Sequence, residues 1–195
     1  MHIISGDLWA GAEVQAYTLL KHLAQDVDIF VILMNQGELS EKLQQLGIKI
    51  QIIDEKHHSS LSIIFKILRQ IRQFKPDVIH THRQKENILG SIANLLAIAF
   101  RGKLTPSVRT AHGAPEFNPK GKQKIQVCLD RFVGRYLQKR VIAVSEDLAK
   151  KLSDIFPVSH IDVIQNGVDI DGLKELAKIP AEFKFNAPIK PISAS

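Results

Sequence analysis

The sequence predicts a doubly wound α/β domain, a parallel sheet with helices on both faces. Two observations carry this. Short apolar runs of strand length alternate with longer stretches whose apolar residues recur at helical spacing, the signature of successive βαβ units. The clearest run, Val27 to Met34, is also nearly continuous in its apolar residues, as a strand covered on both faces requires. A chain of 195 residues that is 45% apolar and 24% charged can bury a sizeable core, which excludes a disordered or collagen-like protein.

The elements follow in order. His2-Ile3-Ile4 opens as a short strand, and Ala16, Leu19, Leu20 and Leu23 then share one helical face. After the Val27–Met34 strand, Glu38 to Leu46 reads as a short helix that Gly47 terminates. Ile48 to Asp54 is the next strand. Ile63, Ile64, Ile67, Leu68 and Ile71 line a helix that must stop before Pro76. Asp77 to His80 is a strand, Asn87 to Phe100 a helix, and Ser107 to Ala111 a strand. Ile125, Cys128, Leu129, Phe132, Val133 and Tyr136 form another helical stripe, expected to cover the sheet. Val141 to Val144 is a strand, Ser145 caps a helix, and Ile161 to Ile164 closes the series. The fold class is therefore a Rossmann-like α/β domain over residues 1–178. Residues 179–195, with Pro180, Pro188 and Pro191 and no period, read as a linker or as the truncated start of a further domain.

A single cysteine, Cys128, forms no internal disulfide, and nothing points to an oxidising compartment. The run Ile88–Phe100 is too short to span a bilayer, for which about 20 residues are needed. Met1 to Asp7 lacks the basic and apolar regions of a signal peptide, so the expected address is the cytoplasm. The net charge of +6 is concentrated: residues 61–141 hold 16 basic and 4 acidic side chains, a net of +12. Such a block implies an anionic partner, which could be phosphate groups, an acidic membrane surface or nucleic acid; the alternative is a solvated basic surface with no partner. A nucleic acid is not expected, because the segment carries no known motif and few aromatics for base stacking.

In an open α/β sheet ligands bind beyond the carboxyl ends of the strands, so those loops hold the candidates. The first is Gly6-Asp7-Leu8-Trp9-Ala10-Gly11-Ala12-Glu13. Its glycine spacing approaches a P-loop, but Ala12-Glu13 stands where Lys followed by Ser or Thr is needed, and the dinucleotide fingerprint is absent. What remains is a small-residue turn whose amides, at Ala10 and Gly11, can approach an anion. The second is His80-Thr81-His82-Arg83. Two histidines share a strand face, but no third ligand lies nearby in sequence, so no metal is expected; His80 reads as core, while His82 and Arg83 edge the cleft. The third is Arg109-Thr110-Ala111-His112-Gly113, in which a strand delivers an imidazole to the sheet edge, where it can exchange a hydrogen bond with a substrate hydroxyl. The fourth, Gln165-Asn166-Gly167-Val168-Asp169, is a turn that could serve as a hinge.

These loops together resemble glycosyltransferase family 4. Gly6 to Glu13 is similar to that family's opening loop, and Lys75-Pro76-Asp77-Val78-Ile79-His80 to its Lys-Pro-Asp-Val-Ile-His segment. Arg109 to Gly113 resembles its histidine-glycine loop. Val144-Ser145-Glu146 with Leu148, and Asn166-Gly167-Val168-Asp169, resemble two further signatures, all in the family's order. The resemblance implies the N-terminal, acceptor-side half of a GT-B enzyme, which moves a sugar from a nucleotide-sugar to a saccharide or lipid-linked acceptor, with retention and without an essential metal or other cofactor. It implies that His112 contacts the donor sugar as a catalytic residue and that Ala10 and Gly11 face the diphosphate. His82, Arg83, Arg109 and Glu116 become acceptor-side candidates by loop position, with Asn166 and Gly167 as the hinge. Ala10 departs from the pattern, standing where the opening loop has its first glycine. No counterpart of the family's nucleotide-binding C-terminal domain is found, so the chain alone is expected to be inactive. The alternative is a stand-alone carbohydrate- or nucleotide-binding module without catalysis.

Overall fold

A computed structural model of the chain describes residues 1–113 and 121–167. Strands and helices alternate as β1 (His2–Ile4), α1 (Gly11–Leu23), β2 (Phe30–Leu33), α2 (Glu38–Gln45), β3 (Lys49–Ile52), α3 (Ser60–Phe74) and β4 (Ile79–Thr81). They continue as α4 (Gln84–Arg101), β5 (Ser107–Ala111), α5 (Lys122–Tyr136), β6 (Arg140–Ala143), α6 (Glu146–Ser153) and β7 (Ile161–Val163). All seven strands are parallel, in the order β3-β2-β1-β4-β5-β6-β7. The Rossmann-like α/β class read from the sequence is the fold observed. The linker expected over residues 179–195 lies outside the described residues.

The chain runs outward from β1 to β3, returns across the sheet, and then runs outward from β4 to β7. Right-handed crossovers therefore put α1 and α2 on one face and α3 to α6 on the other. The core divides accordingly. Ile4, Val31 and Leu33 pack with Ala16 and Leu20 of α1 and Leu39 and Leu43 of α2. Ile3, Ile32 and Ile79 point the other way, against Ile63, Ile67 and Ile71 of α3 and Ala93 of α4. A third cluster joins Ala111, Val141 and Ala143 to Leu148 and Leu152 of α6. Among the described residues no helix covers β5 to β7 on the α1 face.

Local chemistry sets the boundaries. Ser59 and Ser145 accept from the amides of Ser62 and Leu148, capping α3 and α6. Lys75 takes a left-handed conformation (φ 53°) to end α3, and Pro76 then prevents its continuation. β2 begins three residues later than the apolar run suggests, because Val27 faces solvent in the turn after α1. Gly90 lets α4 approach the sheet closely: a Cβ there would lie 2.7 Å from Cδ1 of Ile3.

The sequence expectation for α5 is corrected. Ile125, Cys128, Leu129, Phe132 and Tyr136 do not cover the sheet; all five are exposed. The inward side presents Asp130, Val133 and Gly134 instead. Two contacts fix this rotation. Arg109, from the α5 side of β5, donates through Nη1 to both carboxylate oxygens of Asp130 at 2.9 and 2.8 Å. Gly134 lies against the Phe156 ring, where any Cβ would collide. Asp130 also accepts from Asn87 Nδ2 at 2.8 Å, which ties α5 to α4. Both members of the ion pair are under 10% exposed, so removing one strands a buried charge. We expect Arg109→Ala to lower stability by about 3–5 kcal/mol, read as a shift of the urea midpoint. Arg131→Ala, one residue from Asp130 on the exposed side, is expected to change it by less than about 1 kcal/mol.

Candidate active site

The carboxyl ends of β1, β4 and β5 meet at the sheet's switch point, and the loops there build the site. Gly6 ends β1 in a left-handed conformation (φ 74°), where a Cβ would press to 3.3 Å from the Asn35 carbonyl and from Leu33. The chain then reaches Ala10, the N-cap of α1, whose side chain offers no cap, so first-turn amides remain available. Around the Gly11 position the space is open: an added Cβ would meet nothing within 4 Å. Arg83, just beyond β4, clasps this loop, bonding Asp7 at 3.0 Å and the buried Glu13 at 2.6 Å.

Side-chain alternation gathers four imidazoles. His80 and His82 project from one face of β4, and His2 of β1 lies opposite His80 in the parallel register. His2 Nδ1 is 3.4 Å from His82 Nε2, and His82 Nδ1 is 3.5 Å from His112 Nε2. The rings form a stack: His80 and His82 are 4.5 Å apart at 17°, and His82 and His112 5.8 Å apart at 18°. His80 Nε2 also bonds Thr110 Oγ1 at 2.8 Å. Burial holds all four below the ordinary histidine range: His80 falls to about 4, and His2 and His82 fall well below their usual value. His112 is lowered by partial burial, with Arg83 adding to the effect. The stack is therefore neutral at pH 7.

The ground for expecting no metal is corrected. A third imidazole, His2, does join His80 and His82, their ligand atoms lying within 4.8 Å of one another; it comes from 78 residues away and is invisible to local spacing. The donor set still fits a metal poorly as arranged. Near-parallel rings hold their lone pairs in separate planes, so one ion cannot lie in the planes of both His80 and His82.

Two clefts open here, and His82 and His112 line both. One, of about 310 Å³, runs between the β4 and β5 ends and α5 and α6, past Arg83, Arg131 and Phe156. The other, of about 280 Å³, lies between α1 and the uncovered sheet face and ends at Asn166 and Gly167. The half-buried His112 stands at the divide. His82, expected at the cleft's edge, is buried inside the stack. Arg83 is at the edge but committed to Asp7 and Glu13. Arg109 is no free acceptor ligand: it is buried against Asp130. Ala10 and Gly11 are exposed above the clefts and line neither. Glu116 lies outside the described residues, as do Val168 and Asp169. Sequence reasoning missed His2, Thr110 and Glu86.

Glu86, buried in the first turn of α4 with Oε2 unpartnered, has its pKa raised to about 7 by burial. It and the imidazoles pull stability in opposite directions. The folded histidines bind fewer protons than the unfolded ones below about pH 6.5, so stability drops as pH falls from there toward about 4. Folded Glu86 holds its proton where the unfolded carboxyl has lost it, so its cost grows as pH rises from about 4.5 through about 7. We expect Glu86→Gln to stabilise by about 2 kcal/mol at pH 8 and by little at pH 4. In that variant the urea midpoint should fall steadily from pH 6.5 to pH 4; a flat profile would contradict the neutral stack.

Comparison with known proteins fits this geometry. The profile of Glycosyltransferase Family 4 matches residues 9–171. The chain is 25% identical over 182 residues to the capsular polysaccharide biosynthesis glycosyltransferase CapH of Staphylococcus aureus, covering 90% of this chain and 48% of that protein. Its fold matches Anabaena Alr3699/HepE, solved in complex with UDP-glucose, at a TM-score of 0.70 and 22% identity, over 88% of this chain and 45% of that one. It also matches the lipopolysaccharide outer core galactosyltransferase WaaB, at 0.63 and 13% identity, over 86% and 45%. The chain spans about half the length of these relatives. By its profile match over residues 9–171, the chain belongs to glycosyltransferase family 4.

Proposed function

We propose that the chain is the acceptor-side half of a retaining glycosyltransferase that moves a hexosyl group from a nucleotide-sugar to a saccharide or lipid-linked acceptor in surface polysaccharide or glycolipid assembly. The observation that carries the reading is His112, a neutral imidazole at the divide between two clefts at the carboxyl edge of the sheet. Kinship to CapH, a capsular polysaccharide enzyme, supports the pathway class, and the UDP-glucose complex of HepE supports the donor class.

In this reading the residues divide the work. His112 Nε2 faces His82 Nδ1, so one of these nitrogens carries the proton and the pair fixes the tautomer. A neutral His112 held in this way can exchange a hydrogen bond with a donor-sugar hydroxyl and orient the anomeric carbon. The open first turn of α1 at Ala10 and Gly11 offers amides and the positive end of the helix dipole to the diphosphate. That charge compensation requires no metal, and none is assigned a role. Asn166 and Gly167, exposed at the end of the second cleft, act as the hinge to the wall that holds the nucleotide.

Positioning and charge stabilisation need both walls of such a cleft. Purified residues 1–195 are therefore expected to show no turnover of UDP-hexoses, and measurable transfer would refute the division of labour. Tight binding of a nucleotide-sugar by this chain alone would instead favour a binding module. In the enzyme carrying both walls, His112→Ala is expected to lower kcat by about 100-fold with the fold intact. An effect within about threefold would reduce His112 to a packing role.

A further inference from the structure

The exposed stripe on α5 lines neither cleft, and it is large. Ile125, Leu129, Phe132 and Tyr136 fall at i, i+4, i+7 and i+11 and are 64, 44, 56 and 65% exposed. Four large apolar side chains on one helix face are unusual for a surface that only meets water. Along one flank, about 100° around the helix, run the exposed cations Lys124, Arg131 and Arg135.

The neighbouring helices extend the same chemistry. α3 and α4 lie beside α5 on one side of the sheet and expose Leu61 and Phe65, and Leu95, Leu96 and Phe100, respectively. Arg72 of α3 sits over the Phe100 ring at 4.1 Å. The three helices contain only two acidic residues, Glu86 and Asp130, and both are buried. Every exposed charge on α3, α4 and α5 is therefore positive, beside exposed apolar side chains.

We propose that this face, with the α5 stripe as its apolar anchor, docks onto an anionic lipid bilayer and inserts Ile125, Leu129, Phe132 and Tyr136 among the acyl chains. Charge and shape choose this occupant. A second copy of the chain would set cation against cation. A nucleic acid would satisfy the cations but leave Ile125 and Leu129 in water. An anionic bilayer takes both, headgroups meeting the cations and acyl chains the stripe. None of the described helices is long and apolar enough to cross a membrane, so the contact is interfacial. The inference does not depend on sugar transfer, and its test contains no nucleotide-sugar.

The chain's one cysteine, Cys128, is exposed beside the stripe and gives a direct reporter. The full chain labelled there with an environment-sensitive fluorophore would be mixed with phosphatidylcholine vesicles, with and without 30% phosphatidylglycerol. We expect co-sedimentation and a blue shift with the anionic set only, and quenching by bromine-labelled acyl chains. Raising salt should weaken binding by at least tenfold. Lys124→Gln with Arg135→Gln should weaken it about tenfold at low salt, and Phe132→Ser about tenfold at high salt. Lys150→Gln with Lys151→Gln on α6 serves as the charge-matched control and should change it less than twofold. Because every substituted side chain is exposed, a thermal melt confirms folding. Failure to bind anionic vesicles at low salt, or binding without acyl-chain quenching, would overturn the proposal. So would a lipid-free dimer that shields the probe, or an oligonucleotide that binds as tightly as the anionic vesicles.

Discussion

The three-residue strand β1 holds the molecule together. It pairs with β2 on one side and β4 on the other, and so joins the two runs of the sheet. All three of its residues are buried, and even the terminal amine of Met1 is used, donating to the Val78 carbonyl at 2.9 Å. Because strands in a sheet sit roughly 4.8 Å apart, this one pairing dictates the histidine stack: His2 cannot avoid His80, nor His80 its neighbour in the pleat, His82. The same pairing releases the chain at Gly6, at the switch point where a ligand cleft forms. A disturbance of β1 would therefore reach the fold and the site together.

The cost of that arrangement explains the chemistry around it. Three buried imidazoles with no carboxylate among them are tolerable only when neutral. Hydrogen bonding makes neutrality workable, since each ring can donate from one nitrogen and accept at the other, and Thr110 supplies a hydroxyl partner to His80. The charged groups nearby are handled differently, by pairing: Arg83 with Asp7 and Glu13, and Arg109 with Asp130. These pairs do mechanical work. The first binds the opening loop to β4, and the second sets the rotation of α5.

The fold was legible because burial on both faces writes a strong, local signal into parallel strands and because Gly47, Pro76 and Ser145 mark helix ends. The site was legible only at its backbone. His112 could be placed, since a strand followed by Gly113 delivers its last side chain to the sheet edge. Arg109 lines the first cleft but is spent on Asp130, for a reason the sequence does contain: it lies three residues before His112, and a period of two sends them to opposite faces. His2 was missed because its nearness to His80 depends on strand order, which no local pattern states. The α5 stripe was read as core because helical period shows that a helix has an apolar side, not where that side points. Its direction was decided by one buried ion pair and one glycine contact.

The commitment of the cations bears on what the site can hold. Of the arginines lining the first cleft, Arg83 and Arg109 already neutralise buried or loop carboxylates, and redirecting either would expose an unpaired acid. Arg131 is the one guanidinium there without a carboxylate partner among the described residues. A diphosphate carries more negative charge than that single side chain can offset, and the imidazoles are held neutral by burial. The remaining compensation on this wall is the open first turn of α1, worth about half a charge. On the proposed function, this wall is thus better suited to orienting a sugar with neutral hydrogen bonds than to gripping a nucleotide. That asymmetry follows from how its charges are paired, whatever the identity of the sugar.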